Sequence, residues 1–465
     1  MKERKINTAI LFYNHLTNNS IAGAPINQSQ RKKKMNQTEE THLRHLFDGE
    51  PILNVYNDEI INLSVGAPGP DLLQLCVSNM RQATEHRLLA EEREGKYYLF
   101  QYGITAGLYE CRRELAKFLS RRYLDSVDGK DLILTCGATH GLQLLLCSVV
   151  SPNGVIFVEE VTYMIALNVF KQFPLMRIVT VPMKLGVVDL DAMEKIVADE
   201  KERGEYLIDE EKIFWAVFYT IPTYHNPTGM TLSPENCKRL VSIARENSLL
   251  VACDDVYNLL RYEDVEDPPQ RLFYYDNPCD PEYRGGNVVS NGSFSKILSP
   301  AIRLGWMECG SRVCGVLKQS GIMKSGGAVN HYVSGVVASL LELGLEDSYL
   351  NLLIRTYKER LESLCNILDR YLPRCCSYRR PEGGYFVWIS LPVGKFLQKY
   401  KVTAIPGSRF SNAGRSENHL RLSIAFHKND VLEKAVKTLC LNLSLRAAQR
   451  VFGYSRFIFQ RFNAT

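Results

Sequence analysis

The stretch SNGSFSKILSPAIRLGW, residues 290–306, combines a primary amine with hydroxyls and a guanidinium. Lys296 stands between Ser293, Ser295 and Arg303, and its amine is the kind of group that condenses reversibly with an aldehyde. The simpler interpretation is a hydroxyl-rich turn with its charges in solvent. The rest of the chain decides between the two.

Polar groups follow several other apolar runs that are typical of strands. They are GATHG after 131–136, Tyr163 after 154–160, Asn226 after 213–220, Asp254, Asp255 and Tyr257 after 249–253, and Ser293, Ser295 and Lys296 after 287–290. Each alone is weak, because NPTG is usually only a turn and an acidic pair often caps a helix. Ligands of α/β sheets bind outside the carboxyl ends of the strands. A ligand with a phosphate, an aromatic ring, a cation at that ring and an aldehyde would use every group named.

The elements that must position these groups alternate between strand and helix. Seven apolar strands separated by helices predict an α/β fold whose mainly parallel sheet lies between helices. After about Leu345 a long helix and three strands predict a smaller α+β domain. The predicted division is a disordered basic extension and N-terminal arm at 1–57, a large domain at 58–345, a small C-terminal domain at 346–443 and a basic aromatic tail at 444–465.

Composition excludes several classes of protein. A net charge of +5 over 465 residues does not favour nucleic acid, and no apolar run approaches the roughly 20 residues of a membrane span. The 13 cysteines are scattered without a C-x-x-C pair, which predicts a reduced, cytoplasmic protein without a metal site. A mitochondrial presequence within residues 1–40 is the alternative.

Four motifs carry a resemblance to a known family. NPTG at 226–229, DDVY at 254–257, SFSK at 293–296 and RLGW at 303–306 together resemble the class I, fold-type I, pyridoxal-phosphate-dependent aminotransferases. The resemblance covers roughly residues 58–440, and RPEGGYFVWISLP is similar to the branch that includes α-aminoadipate and kynurenine aminotransferases. It implies pyridoxal 5′-phosphate as cofactor. It also implies transfer of an amino group between an L-amino acid (aminoadipate, aromatic or aliphatic) and a 2-oxo acid such as 2-oxoglutarate.

The resemblance assigns residues to the ring and to the aldehyde of the cofactor. Lys296 would form the Schiff base and then carry a proton between the substrate α-carbon and the cofactor. Asp254 would hold the ring nitrogen protonated, and Tyr163 would stack on the ring. Asn226 and Tyr257 would hydrogen-bond the phenolate oxygen.

The resemblance also assigns residues to the cofactor phosphate and to the substrate. The phosphate cup would consist of Ala138, Thr139, Ser293, Ser295 and Arg303. Tyr102 would reach the phosphate of a neighbouring subunit, which predicts a homodimer. Arg421 would clamp the substrate α-carboxylate beside Asn226, and Gly66 in LSVGAPGP would lie close to the bound acid.

The chain departs from the family pattern in three places. Ala138 stands where a serine is frequent, and Val161 replaces a proline before TY. The segment near Gly394 is short, which leaves the substrate class open. Residues 60–80 contain no arginine for a second carboxylate, so we expect aspartate to be a poor donor.

Two alternatives remain beside the aminotransferase. A lyase or decarboxylase can use the same scaffold and cofactor. A non-catalytic regulatory protein that binds the cofactor is the second, although the residues ahead of the core show no helix-turn-helix pattern.

Overall fold

The structure, a computed structural model, describes residues 60–262, 268–327, 330–392 and 401–452, with 446–452 as backbone alone. The chain separates into two units, 1–57 and 58–465, and the described residues belong to the second. The predictions for the extension 1–57, for the segment near Gly394 and for most of the tail lie outside the described residues.

Fifteen strands are described. They are β1 (Ile61–Asn62), β2 (Leu132–Thr135), β3 (Val150–Glu159), β4 (Arg177–Val181), β5 (Met183–Lys184), β6 (Val187–Val188), β7 (Phe214–Thr220), β8 (Leu250–Asp254), β9 (Val288–Ser293), β10 (Gly305–Cys309), β11 (Ser377–Tyr378), β12 (Phe386–Ser390), β13 (Val402–Thr403), β14 (Ile405–Pro406) and β15 (His419–Ser423).

Eleven α-helices are described between and after these strands. They are α1 (Pro70–Glu94), α2 (Tyr109–Tyr123), α3 (Ala138–Ser148), α4 (Met164–Phe170), α5 (Leu190–Arg203), α6 (Pro234–Asn247), α7 (Ser311–Gln319), α8 (Gly321–Lys324), α9 (His331–Glu342), α10 (Leu345–Tyr371) and α11 (Asn429–Phe452). None of them is long and apolar enough to cross a membrane.

The main sheet has seven strands in the order β2-β10-β9-β8-β7-β3-β4. Strand β10 is antiparallel to both of its neighbours, and the other pairs are parallel. Side chains alternate between two apolar clusters, with Ile156 and Val158 in one and Val155 and Phe157 in the other. A sheet that is covered on both faces needs apolar residues at every position, which is why these strands read as continuous apolar runs. The predicted α/β fold with a mainly parallel seven-stranded sheet is confirmed.

A second, antiparallel sheet has the order β11-β12-β15-β14 and follows the long helix α10 in the chain. Strand β1 pairs in parallel with β13, so the residues after β1 run alongside the C-terminal part of the chain. Ser423 donates its backbone N–H to Leu63, which continues this connection. Residues 61–63 thereby lie beside the C-terminal strands β13 and β15.

Candidate active site

The carboxyl ends of β2, β3, β7, β8 and β9 lie at one edge of the main sheet, because these strands all run in the same direction. Asp254 and Ser293 are the last residues of their strands and do not follow them, contrary to the prediction. Backbone pairing persists to the strand ends, with Asp254 opposite Asn291 and Ser293 opposite Gly305. The backbone pairing of the sheet therefore fixes the positions from which both side chains project.

Lys296 lies in the turn after β9, and its amine is held by a main-chain carbonyl. Its Nζ donates a hydrogen bond of 2.6 Å to the oxygen of Gly66. Burial lowers the pKa of the amine to about 8, and the cations Arg421 and Arg303 act in the same direction against the opposing charge of Asp254. A lysine so placed offers a neutral, nucleophilic amine closer to neutral pH than an exposed lysine does.

Asp254 presents its two oxygens differently. Oδ2 accepts a hydrogen bond of 2.5 Å from the hydroxyl of Tyr219, whereas Oδ1 is buried without a hydrogen-bond partner among the described residues. Burial raises the pKa of this carboxyl to about 6, although the Tyr219 hydrogen bond and the Lys296 charge lower it. An unpartnered buried carboxylate oxygen is costly, so Oδ1 is suited to accept from a ligand's N–H.

Asp255, the second acid of the pair, is directed elsewhere. It accepts a hydrogen bond of 2.5 Å from Ser290 Oγ and is buried. Consecutive side chains leave a strand on opposite faces, which separates Asp255 from Asp254.

Two tyrosines approach the space beside Asp254. Tyr163 directly precedes α4, and burial, together with the Asp254 charge, raises the pKa of its hydroxyl to about 12. The Tyr257 ring is buried and packs edge-on against Phe386 at 5.6 Å between centroids. Both hydroxyls therefore remain protonated at neutral pH.

Hydroxyls, a guanidinium and a helix N-terminus face one another beyond Lys296. The Oγ atoms of Ser293 and Ser295 lie 3.0 Å apart, and Arg303 Nη1 lies 3.4 Å from Ser295 Oγ. Ala138 and Thr139 open helix α3, whose first backbone N–H groups have no partner within the helix. Such a group of donors is suited to a phosphate.

The backbone comes unusually close together at the same place. A Cβ on Gly305 would lie 2.8 Å from the Cα of Gly137. Gly137 has φ +82° and immediately precedes helix α3. Both glycines therefore allow the strand and the helix start to approach each other closely.

Arg421 in β15 is a buried cation, only 3% exposed. Its Nη1 donates to Asn226 Oδ1 at 2.9 Å, and its Nη2 donates to the carbonyl of Ser64. The guanidinium lies over the rings of Phe386 and Phe410, at 4.0 and 4.9 Å from their centroids. Burial lowers its pKa to about 10.

No carboxylate forms an ion pair with Arg421 among the described residues, and its Nε has no hydrogen-bond partner there. Burying an unpaired charge is unfavourable, so the guanidinium is suited to bind an anionic ligand.

Tyr102 stands apart from the other predicted site residues. Its side chain is 84% exposed, and within the described chain no hydrogen bond joins it to another predicted site residue. Nearby Phe100 and Ile104 are also exposed, at 63% and 55%. The structure does not bring Tyr102 into the site of its own chain.

Three residues of the site were not predicted from the sequence. Tyr219 contacts Asp254, Phe386 packs against Arg421, and Tyr385 donates a hydrogen bond of 2.8 Å to the carbonyl of Lys296. Each lies in an apolar strand run or at its start, where an aromatic residue usually belongs to the core. The only sequence signal for Tyr219 is that its hydroxyl lies near the end of a strand.

The residues present fit pyridoxal 5′-phosphate. Asp254 Oδ1, which has no hydrogen-bond partner among the described residues, would accept from a ring nitrogen, Lys296 would supply the amine for the aldehyde, and Ser293, Ser295 and Arg303 would supply donors for the phosphate. Among the described residues no group of three or more His, Cys, Asp or Glu side chains is arranged to hold a metal ion.

Comparison with known proteins assigns the family. Residues 58–439 match the model of aminotransferase class I and II, so the chain belongs to this family. Its cofactor is pyridoxal 5′-phosphate, in agreement with the geometry.

Individual relatives place the chain near the aminoadipate and kynurenine branch. It is 27% identical to aromatic-amino-acid aminotransferase 1 of Thermococcus litoralis, over 83% of this chain and 88% of the relative. It is 29% identical to 2-aminoadipate transaminase of Thermus thermophilus, over 82% and 89%. The crystal structure of α-aminoadipate aminotransferase from Thermus thermophilus, complexed with N-(5′-phosphopyridoxyl)-L-leucine, matches with a TM-score of 0.69 and 27% identity, over 84% of this chain and 94% of that one.

Proposed function

We propose that this protein transfers the amino group of an aminoadipate-like, aromatic or aliphatic L-amino acid to a 2-oxo acid, with 2-oxoglutarate as the usual acceptor. One observation carries the proposal. The Lys296 amine and the Arg421 guanidinium hold the carbonyls of Gly66 and Ser64, two residues apart in one segment. The amine is placed to act at the α-carbon of an amino acid, and the guanidinium, which has no carboxylate partner among the described residues, is placed to bind its α-carboxylate.

The residues then divide the work. Arg421 binds the substrate α-carboxylate, and Asn226, already bonded to Arg421, keeps that guanidinium oriented. Lys296 would hold the cofactor through its amine and, once displaced by substrate, would carry the proton between the substrate α-carbon and the cofactor. Asp254 holds a proton on the ring nitrogen. When bound, the cofactor supplies the electron-withdrawing ring that stabilises negative charge at this carbon.

The remaining residues hold the cofactor in place. Tyr163 covers the ring, and Tyr257 contacts its phenolic oxygen together with Asn226. The hydroxyls of Ser293 and Ser295, the guanidinium of Arg303 and the start of α3 at Ala138 and Thr139 bind the phosphate. We also propose a homodimer in which Tyr102 contacts the phosphate of the partner subunit, a role that its exposure supports.

The amino donor is tested with a panel of L-amino acids at a fixed concentration of 2-oxoglutarate, with glutamate and the new 2-oxo acid measured by chromatography. We expect aminoadipate, aromatic or aliphatic donors to lead. Aspartate should be poor, because residues 60–80 offer no arginine for a second carboxylate. Aspartate exceeding every other donor would overturn the donor class.

The same panel without 2-oxoglutarate separates the alternatives. A transaminase requires the acceptor for turnover, whereas a lyase or decarboxylase forms product, or CO₂, without it. Sustained acceptor-independent turnover would contradict the proposed reaction.

A cytoplasmic location is part of the proposal. All 13 cysteines are free thiols, as is usual in a reducing compartment. Fractionation that recovers the protein with mitochondria would contradict it.

A further inference from the structure

Tyr219 lies in β7, the strand next to the one that carries Asp254. In the parallel pair of β7 and β8, Tyr219 is opposite Ala252, which is two residues before Asp254. Residues two apart in a strand share a face, so the register brings the phenol and the carboxylate together. The ring is 1% exposed, and Phe170 packs edge-on against it at 5.4 Å between centroids.

The contact occupies only one of the two carboxylate oxygens. Tyr219 donates to Oδ2 at 2.5 Å, and Oδ1 keeps no partner among the described residues. A buried carboxylate stays ionised only when donors compensate for the lost hydration. A single donor fixed on Oδ2 also sets the rotation of the carboxylate, and thereby the direction of Oδ1.

We infer that Tyr219 is a positioning residue for the cofactor: it keeps Asp254 ionised and aims Oδ1 at the ring nitrogen. The inference rests on the proposed role of Asp254 and adds the residue through which that role is maintained. It predicts that the phenolic hydroxyl, and not only the ring, sets the affinity for pyridoxal phosphate.

Charged and titratable groups interact electrostatically with Asp254 from four elements or turns. They are Tyr219 on β7, Tyr163 after β3, Lys296 after β9, and Tyr257, Asp255 and Cys253 on or after β8. Burial raises the pKa of Asp254 to about 6, while the Tyr219 hydrogen bond and Lys296 lower it. Removing the hydroxyl therefore raises this pKa further. As the pH falls, a variant without this hydroxyl therefore loses the carboxylate form of Asp254 at a higher pH than wild type does.

The test compares Tyr219→Phe with wild type by titrating apoprotein with pyridoxal phosphate and following the quenching of protein fluorescence across the neutral and mildly acidic range. We expect the dissociation constant to rise about tenfold at neutral pH, because a hydrogen bond to a charged group is lost. The pH at which affinity falls should move upward. Tyr349→Phe is the matched control, because it removes another buried hydroxyl, one that donates to the carbonyl of Leu72.

A double-mutant cycle with Asp254→Asn distinguishes positioning from general packing. If Tyr219 acts through Asp254, adding Tyr219→Phe to Asp254→Asn costs no further affinity. An equal loss in both backgrounds overturns the inference. If the variant apoprotein does not stay folded, the rate of cofactor release from holoenzyme into excess phosphate buffer replaces the titration. Tyr219→Phe should then release the cofactor faster than wild type and than Tyr349→Phe.

The outcomes also separate this inference from the proposed function. Unchanged affinity in Tyr219→Phe, while Asp254→Asn is impaired, overturns the role of Tyr219 alone. Unchanged affinity in Asp254→Asn overturns the assignment of the ring nitrogen, and the role of Tyr219 with it.

Discussion

The amine of Lys296 donates a hydrogen bond of 2.6 Å to the main-chain carbonyl of Gly66, 230 residues earlier in the chain. Arg421 binds the carbonyl of Ser64 in the same segment. Residues 64–66 thus hold both the amine and the guanidinium that the proposed reaction needs. The cofactor must replace the Gly66 carbonyl at the Lys296 amine, and the carboxylate of an entering amino acid must replace the Ser64 carbonyl at Arg421.

The tight fit of Gly66 gives the first prediction. A Cβ at this position would lie 2.6 Å from Cζ of Phe386, the ring that packs on Arg421. Gly66→Ala should raise the KM for the amino donor about tenfold, since overpacking displaces the segment or the ring. Cofactor affinity should not change.

Gly315→Ala is the control for this prediction. It adds a Cβ in the helix α7 with nothing within 4 Å, so it should leave KM unchanged. Wild-type KM in steady-state assays of Gly66→Ala would show that this segment does not limit substrate access.

Arg421 gives the second prediction. Arg421→Gln should lower kcat/KM for the amino donor about 100-fold or more, because the substrate carboxylate loses a buried charged partner. The cofactor's long-wavelength absorption should remain. Steady-state kinetics and the absorption spectrum measure the two parts, with the exposed Arg415→Gln as control. Loss of the cofactor together with activity would indicate a structural role instead.

The pH dependence of cofactor attachment gives the third prediction. Burial and two nearby arginines lower the pKa of Lys296 to about 8, so the reactive neutral amine predominates above that pH. The rate at which apoprotein gains the cofactor's absorption should therefore rise with pH and level off above about 8. Arg421→Gln removes one repelling cation, which raises the pKa and moves this midpoint upward. A midpoint near the usual lysine value of 10.5 in both proteins would contradict the prediction.

The shared site gives the fourth prediction. A heterodimer of Lys296→Ala with Tyr102→Phe keeps one site with both residues intact only if Tyr102 acts across the interface. Reassociated mixtures should then recover turnover above the mean of the two parents, most clearly at limiting cofactor. If heterodimers form without any gain, although Tyr102→Phe alone is impaired, the tyrosine acts within its own subunit.

The sequence was sufficient to predict the main sheet and the order of the polar groups along its edge. Apolar runs and the turns after them located Asn226, Ser293 and Lys296, because strand length and strand ends are local properties. Which of two adjacent acids faces the site is not local. The register of β8 between its neighbours directs Asp254 toward Tyr219 and Asp255 toward Ser290.

The state of a buried charge also depends on distant residues. Arg421 is opposite Trp388 in β12 and Ile405 in β14, and neither strand brings a carboxylate to it. A pattern along one strand could not reveal that this arginine has no acidic partner among the described residues. Tyr219 was missed for a related reason, because its partner lies 35 residues later in the chain.

The central claim is that Lys296 attaches pyridoxal phosphate and performs the proton transfer, and one experiment tests it directly. Wild type and Lys296→Ala are loaded with the cofactor, and the absorption spectrum is recorded before and after an excess of amino donor, with the 2-oxo acid product measured. We predict that wild type is yellow, loses this absorption on adding donor and forms an equivalent of 2-oxo acid. Lys296→Ala should lack the wild-type absorption and form product at least about 1,000 times more slowly, because it has lost its general base. Wild-type absorption and product formation in folded Lys296→Ala would contradict the account.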